Sequence, residues 1–202
     1  MIQYHNIKRY DSMDFDFYRS LPGFSNSFLK AERNGIAPKF KVTEMVTLGK
    51  LVDTILTDPA EVNMLDPLYA TAKSIAFKIR DVFGSYIDKF EKQVSYTATL
   101  EHMEHFLDTV GRLDYLLANE AVLDLKVTKS KDVDALIKFM NYDNQVWNYA
   151  NLAGVKRKYI MIHSVPLGKT FMKDLGVVTP HNDFWENKIL KFGQTQNQLS
   201  NV

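Results

Sequence analysis

The chain contains no cysteine among its 202 residues. That absence excludes disulfides, cysteine-ligated zinc, iron–sulfur clusters and thiol catalysis. No apolar run approaches the ~20 residues that a membrane-spanning helix needs. The first residues, MIQYHNIKRYDS, lack the charged-then-apolar layout of a signal peptide. A cytoplasmic protein with no membrane partner is therefore expected. An excess of charge of either sign is also nearly missing: the net charge is +1. The chain is no polycation that coats nucleic acid indiscriminately, so phosphate binding would need local patches or a bound metal. No internal repeat is present, and the one low-complexity stretch is the polar tail QTQNQLSNV. What remains, 46% hydrophobic and 24% charged residues, suits one α/β or α+β domain with a sizeable core.

Hydrophobic spacing divides the chain into elements. Residues 1–22 show little period, and a short helix through Phe28, Leu29 and Ala31 is expected after the turn at Pro22-Gly23. TEMVTLGKLVDTILT (43–57) has helical spacing closed by Asp58-Pro59. Residues 67–90 read as one or two helices interrupted near Gly84, and QVSYTATL (93–100) as a strand. HFLDTVGRLDYLL and AVLDLKVT continue the sheet across an Ala118-Asn119-Glu120 joint. KDVDALIKFMNYDNQVWNYANLAG gives two helical pieces broken near 141–143. KRKYIMIHSV (156–165) is a strand, and HNDFWENKILKFGQ a closing helix. This order favours a mixed sheet with helices on its faces.

The hairpin strands carry charge where a core is expected. Strand side chains alternate, so Leu123, Leu125 and Val127 fill one face and leave Asp124 and Lys126 together on the other. A hairpin turning at 118–120 sets Asp114 opposite Asp124 and Arg112 opposite Lys126. Facing aspartates repel, and a divalent cation between them would turn that cost into a binding site. Hard oxygen ligands suit Mg²⁺ or Mn²⁺. Lys126 beside the metal could orient or help deprotonate a water, with burial and the cation both favouring its neutral form. Alone, however, an Asp-x-Lys strand reads as a surface ion pair, Arg112 with Asp114 and Lys126 with Asp124. Gln145 and Tyr149, one turn apart on a helix face, could grip a phosphate or brace the strand.

Taken in order, G-R-L-D (Gly111 to Asp114), V-L-D-L-K-V-T-K-S around Asp124 and Lys126, and Q-V-W-N-Y from Gln145 to Tyr149 resemble the PD-(D/E)xK nuclease superfamily. Within it they are most similar to the RecB-like and RecE-like branch, that of exonuclease VIII and phage-type exonucleases. Upstream, SNSFLK resembles that branch's Ser-x-Ser-x-Leu-Lys helix, and LGKLVDTILTDP its Leu-Gly-x-x-x-His-x-x-Leu-x-x-Pro segment. The chain departs from the pattern once, with Asp53 where the branch carries a metal-coordinating histidine. An aspartate in that place can still supply an oxygen ligand for Mg²⁺.

The resemblance implies an α/β, restriction-endonuclease-like core: a mixed central β-sheet flanked by helices, with an N-terminal helical segment. It implies a single nuclease domain over 1–202, with a helical part at 1–60, the catalytic sheet and Gln-x-x-x-Tyr helix at 90–165, and a C-terminal helix and tail at 181–202. The implied activity is Mg²⁺-dependent hydrolysis of DNA, with Mn²⁺ as substitute, as an exonuclease working on DNA ends in phage-type recombination or DNA processing. An endonuclease of the same superfamily and a catalytically impaired DNA-binding or assembly module are the alternatives. Asp114, Asp124 and Lys126 would be catalytic. Asp53, Asp114, Asp124 and the Leu125 carbonyl would hold metal, while Gln145 and Tyr149 contact DNA or brace the site. Secondary candidates are Glu91 as a further acid (Glu101 after it), Arg112, Thr128, Ser25 and Ser27. Implied partners are DNA, further copies of the chain in a ring, and a recombination protein, in the cytoplasm of a bacterium or phage-infected host.

Other features read more plainly. Lys156, Arg157 and Lys158, with Lys39, Lys41, Lys188 and Lys191, could line a phosphate-tracking groove. His102 and His105 read as surface histidines without a third ligand, and Trp147 and Trp185 as core. LGKT at 167–170 lacks the upstream glycine of a phosphate loop and reads as a turn.

Overall fold

A computed structural model describes residues 1–11, 15–21, 23–25, 29 and 43–195 of the chain. The strands among them are β1 (Gln3–Tyr10), β2 (Glu91–His102), β3 (His105–Leu117), β4 (Ala121–Thr128), β5 (Arg157–Ser164), β6 (Lys169–Val177) and β7 (Gln194–Thr195). The helices are α1 (Phe15–Ser20), α2 (Glu44–Thr57), α3 (Tyr69–Phe83), α4 (Val133–Phe139), α5 (Tyr142–Leu152) and α6 (Asp183–Phe192). One sheet has the order β1-β2-β3-β4-β5-β6, and β7 pairs with the start of β3. All neighbours are antiparallel except β4 and β5. That parallel pair is bridged by the α4–α5 crossover, as a parallel connection requires. The mixed central sheet flanked by helices is thus the architecture expected.

Helices cover both faces. α2 is capped by the Thr43 hydroxyl, which accepts the Val46 N–H, and it buries Leu48, Val52 and Leu56 four residues apart. With α3 it packs on Tyr115, Leu123, Leu125 and Met161. On the opposite face α5 brings Val146, Tyr149, Ala150 and Leu152 against Val94, Tyr96, Ala98, Leu113, Leu116 and Val122. Asp124, on the face of β4 opposite Leu123 and Leu125, is buried as well, beneath α5 with 1% of its surface exposed. Each fully buried Leu or Ile of these cores contributes ~1.5–3 kcal/mol. α6 extends the second layer through Trp185 and Ile189, which pack with Trp147, Leu100 and Leu107. Both tryptophans are core residues, as read from the sequence.

The two cores meet at a seam. Val94 and Leu113, paired across β2 and β3, belong to the α5 core, whereas Tyr115 belongs to the α2–α3 core. In a regular strand residues 113 and 115 share a face. The exchange falls at Gln93 and Asp114, which lie between the pairs Lys92↔Tyr115 and Val94↔Leu113. Gln93 takes up the twist with a φ of 57°.

Several boundaries differ from expectation. The part read as helical at 1–60 begins instead with β1, an edge strand with a register shift between His5 and Lys8. β6 was likewise not expected as a strand. Both are polar edges with only one neighbour, so neither shows the alternation of a strand with a buried face. The turn read at 167–170 falls at 165–168, and Lys169 and Thr170 already belong to β6. The expected helix near Phe28 and Ala31, together with Ser27, Lys39, Lys41 and the tail beyond Thr195, lies outside the described residues.

Candidate active site

The β3–β4 ladder has the expected register: Tyr115 pairs with Leu123, Leu116 with Val122 and Leu117 with Ala121. Continued by one step, it sets Asp114 opposite Asp124. There a side chain takes over from the backbone, as Asp114 Oδ2 accepts the Leu125 N–H at 2.8 Å. The Lys126 ammonium lies 2.5 Å from Asp124 Oδ2 and 3.9 Å from Asp114 Oδ2. It also donates to the Leu125 carbonyl at 3.2 Å. From α5, the Gln145 amide nitrogen reaches Asp124 Oδ1 at 3.4 Å and the Tyr149 hydroxyl at 2.8 Å. Asp53 enters from α2 and accepts the Gln93 amide at 2.6 Å through Oδ2. Thus Asp53, Asp114, Asp124, Lys126, Gln145 and Tyr149 converge on the seam between the cores.

Electrostatics in this pocket are dominated by burial. Burial pushes the Asp53 carboxyl up to about 8, and the negative charge of Asp114 adds to the effect while Lys126 and Arg112 oppose it. Asp124 rises to about 7 for the same first reason, against the pull of Lys126. The Lys126 ammonium is pulled two ways. Burial does oppose its charge, but Asp124 and Asp114 outweigh it and hold the ammonium above its ordinary range. Asp53 Oδ1 is buried without a hydrogen-bond partner. An all-oxygen donor set, carboxylates that raise one another's proton affinity and an unsatisfied carboxylate oxygen fit a hard divalent cation. Among the described residues, however, no three acidic or imidazole groups are yet drawn together around one point. The Lys126 ammonium sits against the acids there.

The secondary candidates separate. Arg112 does not pair with Asp114 but donates Nε to Gln93 Oε1 at 2.6 Å, with its guanidinium 6.0 Å from the centre of the Tyr18 ring. Glu91 turns to Arg9 of β1 and Glu101 to His5; the position facing Asp114 in the ladder is Gln93. The Thr128 hydroxyl accepts the Ser130 N–H, and Ser25 offers its carbonyl to Leu29. Three of the basic residues read as a possible groove are engaged within the chain: Lys158 pairs with Asp143, Arg157 with Asp174, and Lys188 packs over Phe184 and Phe192. His102 is buried rather than at the surface, 3.9 Å from Glu186.

Three site residues escaped the sequence reading. Tyr142 lies 5.4 Å from the Lys126 ammonium, ring centre to nitrogen. Its spacing to Gln145 and Tyr149 is helical, so a stripe was there to be read. Gln93 and Tyr18 had no such signal. Gly111, quoted above only as the start of a motif, has a steric role. A Cβ there would meet Leu152 Cδ1 at 2.8 Å and the Tyr149 ring at 3.0 Å. Gly111→Ala should lift α5 from β3, lower stability by ~1–3 kcal/mol and loosen the Gln145–Asp124 contact; thermal melts and a cleavage assay check both. At Gly49 an added Cβ would sit an ordinary 4.0 Å from Val127, so no close approach requires glycine there.

The sequence matches no protein-family profile and no curated protein. Solved structures are similar to it in fold. A Eubacterium rectale protein that carries the provisional name of exonuclease aligns over 86% of this chain and 71% of its own, with 18% identity and a TM-score of 0.50. SSO0001 aligns over 89% of this chain and 84% of its own, with 11% identity and a TM-score of 0.44. The first likeness shows a shared fold: the mixed, mostly antiparallel sheet between helices on which the Asp114–Asp124–Lys126 hairpin is built.

Proposed function

We propose that the protein is a metal-dependent DNA nuclease, most similar to RecE-like exonucleases that work on DNA ends. The observation that carries this reading is the Lys126 ammonium set between Asp124 and Asp114, where two antiparallel strands part. A buried Asp124 beside the partly covered Asp114 and Lys126 would be an expensive way to fill space. Gathered at one point with Gln145, they form a centre for hydrolysing a phosphodiester.

Asp114, Asp124, Asp53 and the Leu125 carbonyl would hold Mg²⁺, with Mn²⁺ as substitute. When bound, the ion supplies electrostatic stabilisation to the phosphate in the transition state. The chain's own groups do the rest. Hydrolysis places a water oxygen on phosphorus, breaks one P–O(sugar) bond and delivers a proton to the departing sugar oxygen. Lys126, held charged by its neighbours, donates hydrogen bonds that orient the incoming water and the phosphate oxygens. Gln145 keeps Asp124 turned toward Lys126, and Tyr149 holds Gln145 in that position. Copies of this chain in a ring, and a recombination partner, belong to the same reading; mass measurement in solution tests the first.

Two features favour a second reading, a DNA-binding or assembly module with an impaired metal site: Lys126 already occupies Asp124, and Asp53 stands in for a histidine. End-labelled linear DNA and covalently closed circles, incubated with Mg²⁺ or EDTA, separate the cases. Mg²⁺-dependent loss of linear DNA alone is the expected result. Cut circles would instead assign an endonuclease. Intact DNA in every lane, with melting unmoved by Mg²⁺ or Mn²⁺, would overturn the enzyme.

A further inference from the structure

Gln93 is held in a conformation that few residues other than glycine adopt, a φ of 57° that costs ~1–2 kcal/mol for a side chain with a Cβ. Glycine would occupy the position more cheaply. The side chain present uses both ends of its amide. Oε1 accepts from Arg112 Nε and Nε2 donates to Asp53 Oδ2, each at 2.6 Å. Arginine can only donate, so the amide oxygen must face it, and the amide nitrogen is thereby aimed at Asp53. Asp53 is left with one oxygen held and the other, Oδ1, buried and without a hydrogen-bond partner.

We propose that Gln93 is a positioning residue: anchored by Arg112, it fixes the rotation of the Asp53 carboxylate and reserves Oδ1 for a divalent cation. The inference rests on the nuclease reading and deepens it. A carboxylate free to turn offers a cation either oxygen and loses that freedom on binding; one already clamped does not. The clamp is neutral, so it adds no repulsion among Asp53, Asp114 and Asp124. It also ties α2 to β2 and β3, so the helix-borne acid keeps its place relative to the strand-borne pair.

Mn²⁺ binding followed by electron paramagnetic resonance, alongside melting of the metal-free protein, tests this in the full chain. Gln93→Gly suits the backbone and removes the amide. It should melt within a few degrees of wild type, the relieved φ offsetting the two lost hydrogen bonds, yet bind Mn²⁺ at least ~10-fold more weakly, the usual effect of losing a ligand's hydrogen-bond partner. Gln93→Asn tolerates the same φ but is one methylene too short to span Arg112 and Asp53, so it should lose affinity likewise. In the Asp53→Asn background, where Asp114 and Asp124 remain, Gln93→Gly should cause no further loss. Wild-type affinity in Gln93→Gly overturns the proposal. So does an equal loss in the Asp53→Asn background, or a much lower melting temperature, since either places the effect in the fold. Failure of the wild type itself to bind Mn²⁺ is a separate arm; it removes the metal reading and the clamp with it.

Discussion

Lys126→Ala should lower Mg²⁺-dependent cleavage of linear DNA by at least ~100-fold, the usual scale for removing a group that orients or stabilises charge in the transition state. Its stability should then depend on pH in a way that identifies the neighbour left behind. Burial lifts the Asp124 carboxyl to about 7 even with Lys126 pulling against it. Without the ammonium it rises further. A carboxyl whose folded pKa lies above its unfolded value contributes stability that is complete at low pH and is lost as pH climbs. The variant should therefore melt close to wild type near pH 5. By pH 8.5 it should fall behind by an amount bounded by the ~3–5 kcal/mol of an orphaned buried ion. Lys126→Met, which keeps most of the volume, should follow the same profile. Cleavage near the wild-type rate in either variant rules out the role given to Lys126.

The second large effect runs the other way. Asp53→Asn should weaken Mg²⁺-induced stabilisation, leaving the part that Asp114 and Asp124 supply, and yet make the metal-free protein more stable at pH 8. Burial first, and Asp114 second, raise the Asp53 carboxyl to about 8. Its favourable contribution is full below the unfolded value near 3.9 and disappears as pH rises through about 8. Asparagine mimics the protonated acid at every pH and still accepts from Gln93. In EDTA the variant should match wild type near pH 4 and melt several degrees above it at pH 8, given ~2–4 °C per kcal/mol for a chain of this size. A slope should persist in the variant, because Asp124 titrates in the same sense. Melting scans from pH 4 to 8.5, with EDTA and with Mg²⁺, check both halves. A wild type indifferent to pH in EDTA would show that Asp53 is ionised without cost.

Much of this site was legible because its logic is local. The pairing of Asp114 with Asp124 follows from a short turn and alternation, and the Gln145–Tyr149 contact from helical spacing. The α2 helix around Asp53 announced itself through Leu48, Val52 and Leu56. The sequence was silent where the outcome depends on long-range packing. β1 and β6 are edges, so their polar character, which guards against pairing with other chains, hides them among loops. Lys158 looked like part of a basic groove because nothing in Lys-Arg-Lys foretells that Asp143, across the crossover, meets it. Gln93 was unreadable for a different reason: its importance lies in a backbone angle and in two partners, Asp53 and Arg112, far from it along the chain. Glu91, two residues earlier, had the right charge but the wrong neighbour.

The seam between the two cores has a mechanical consequence. Leu113 and Tyr115 are rooted in opposite halves of the molecule, and Asp114 is the single residue between them. The acid pair is mounted like a pin in a hinge, with the α2–α3 core as one leaf and the α5 core as the other. Repacking either leaf tilts the pin, so neither core can change shape without moving the acid pair. Asp53 and Gln145 reach the acid pair from different leaves, so both cores together set the spacing between them.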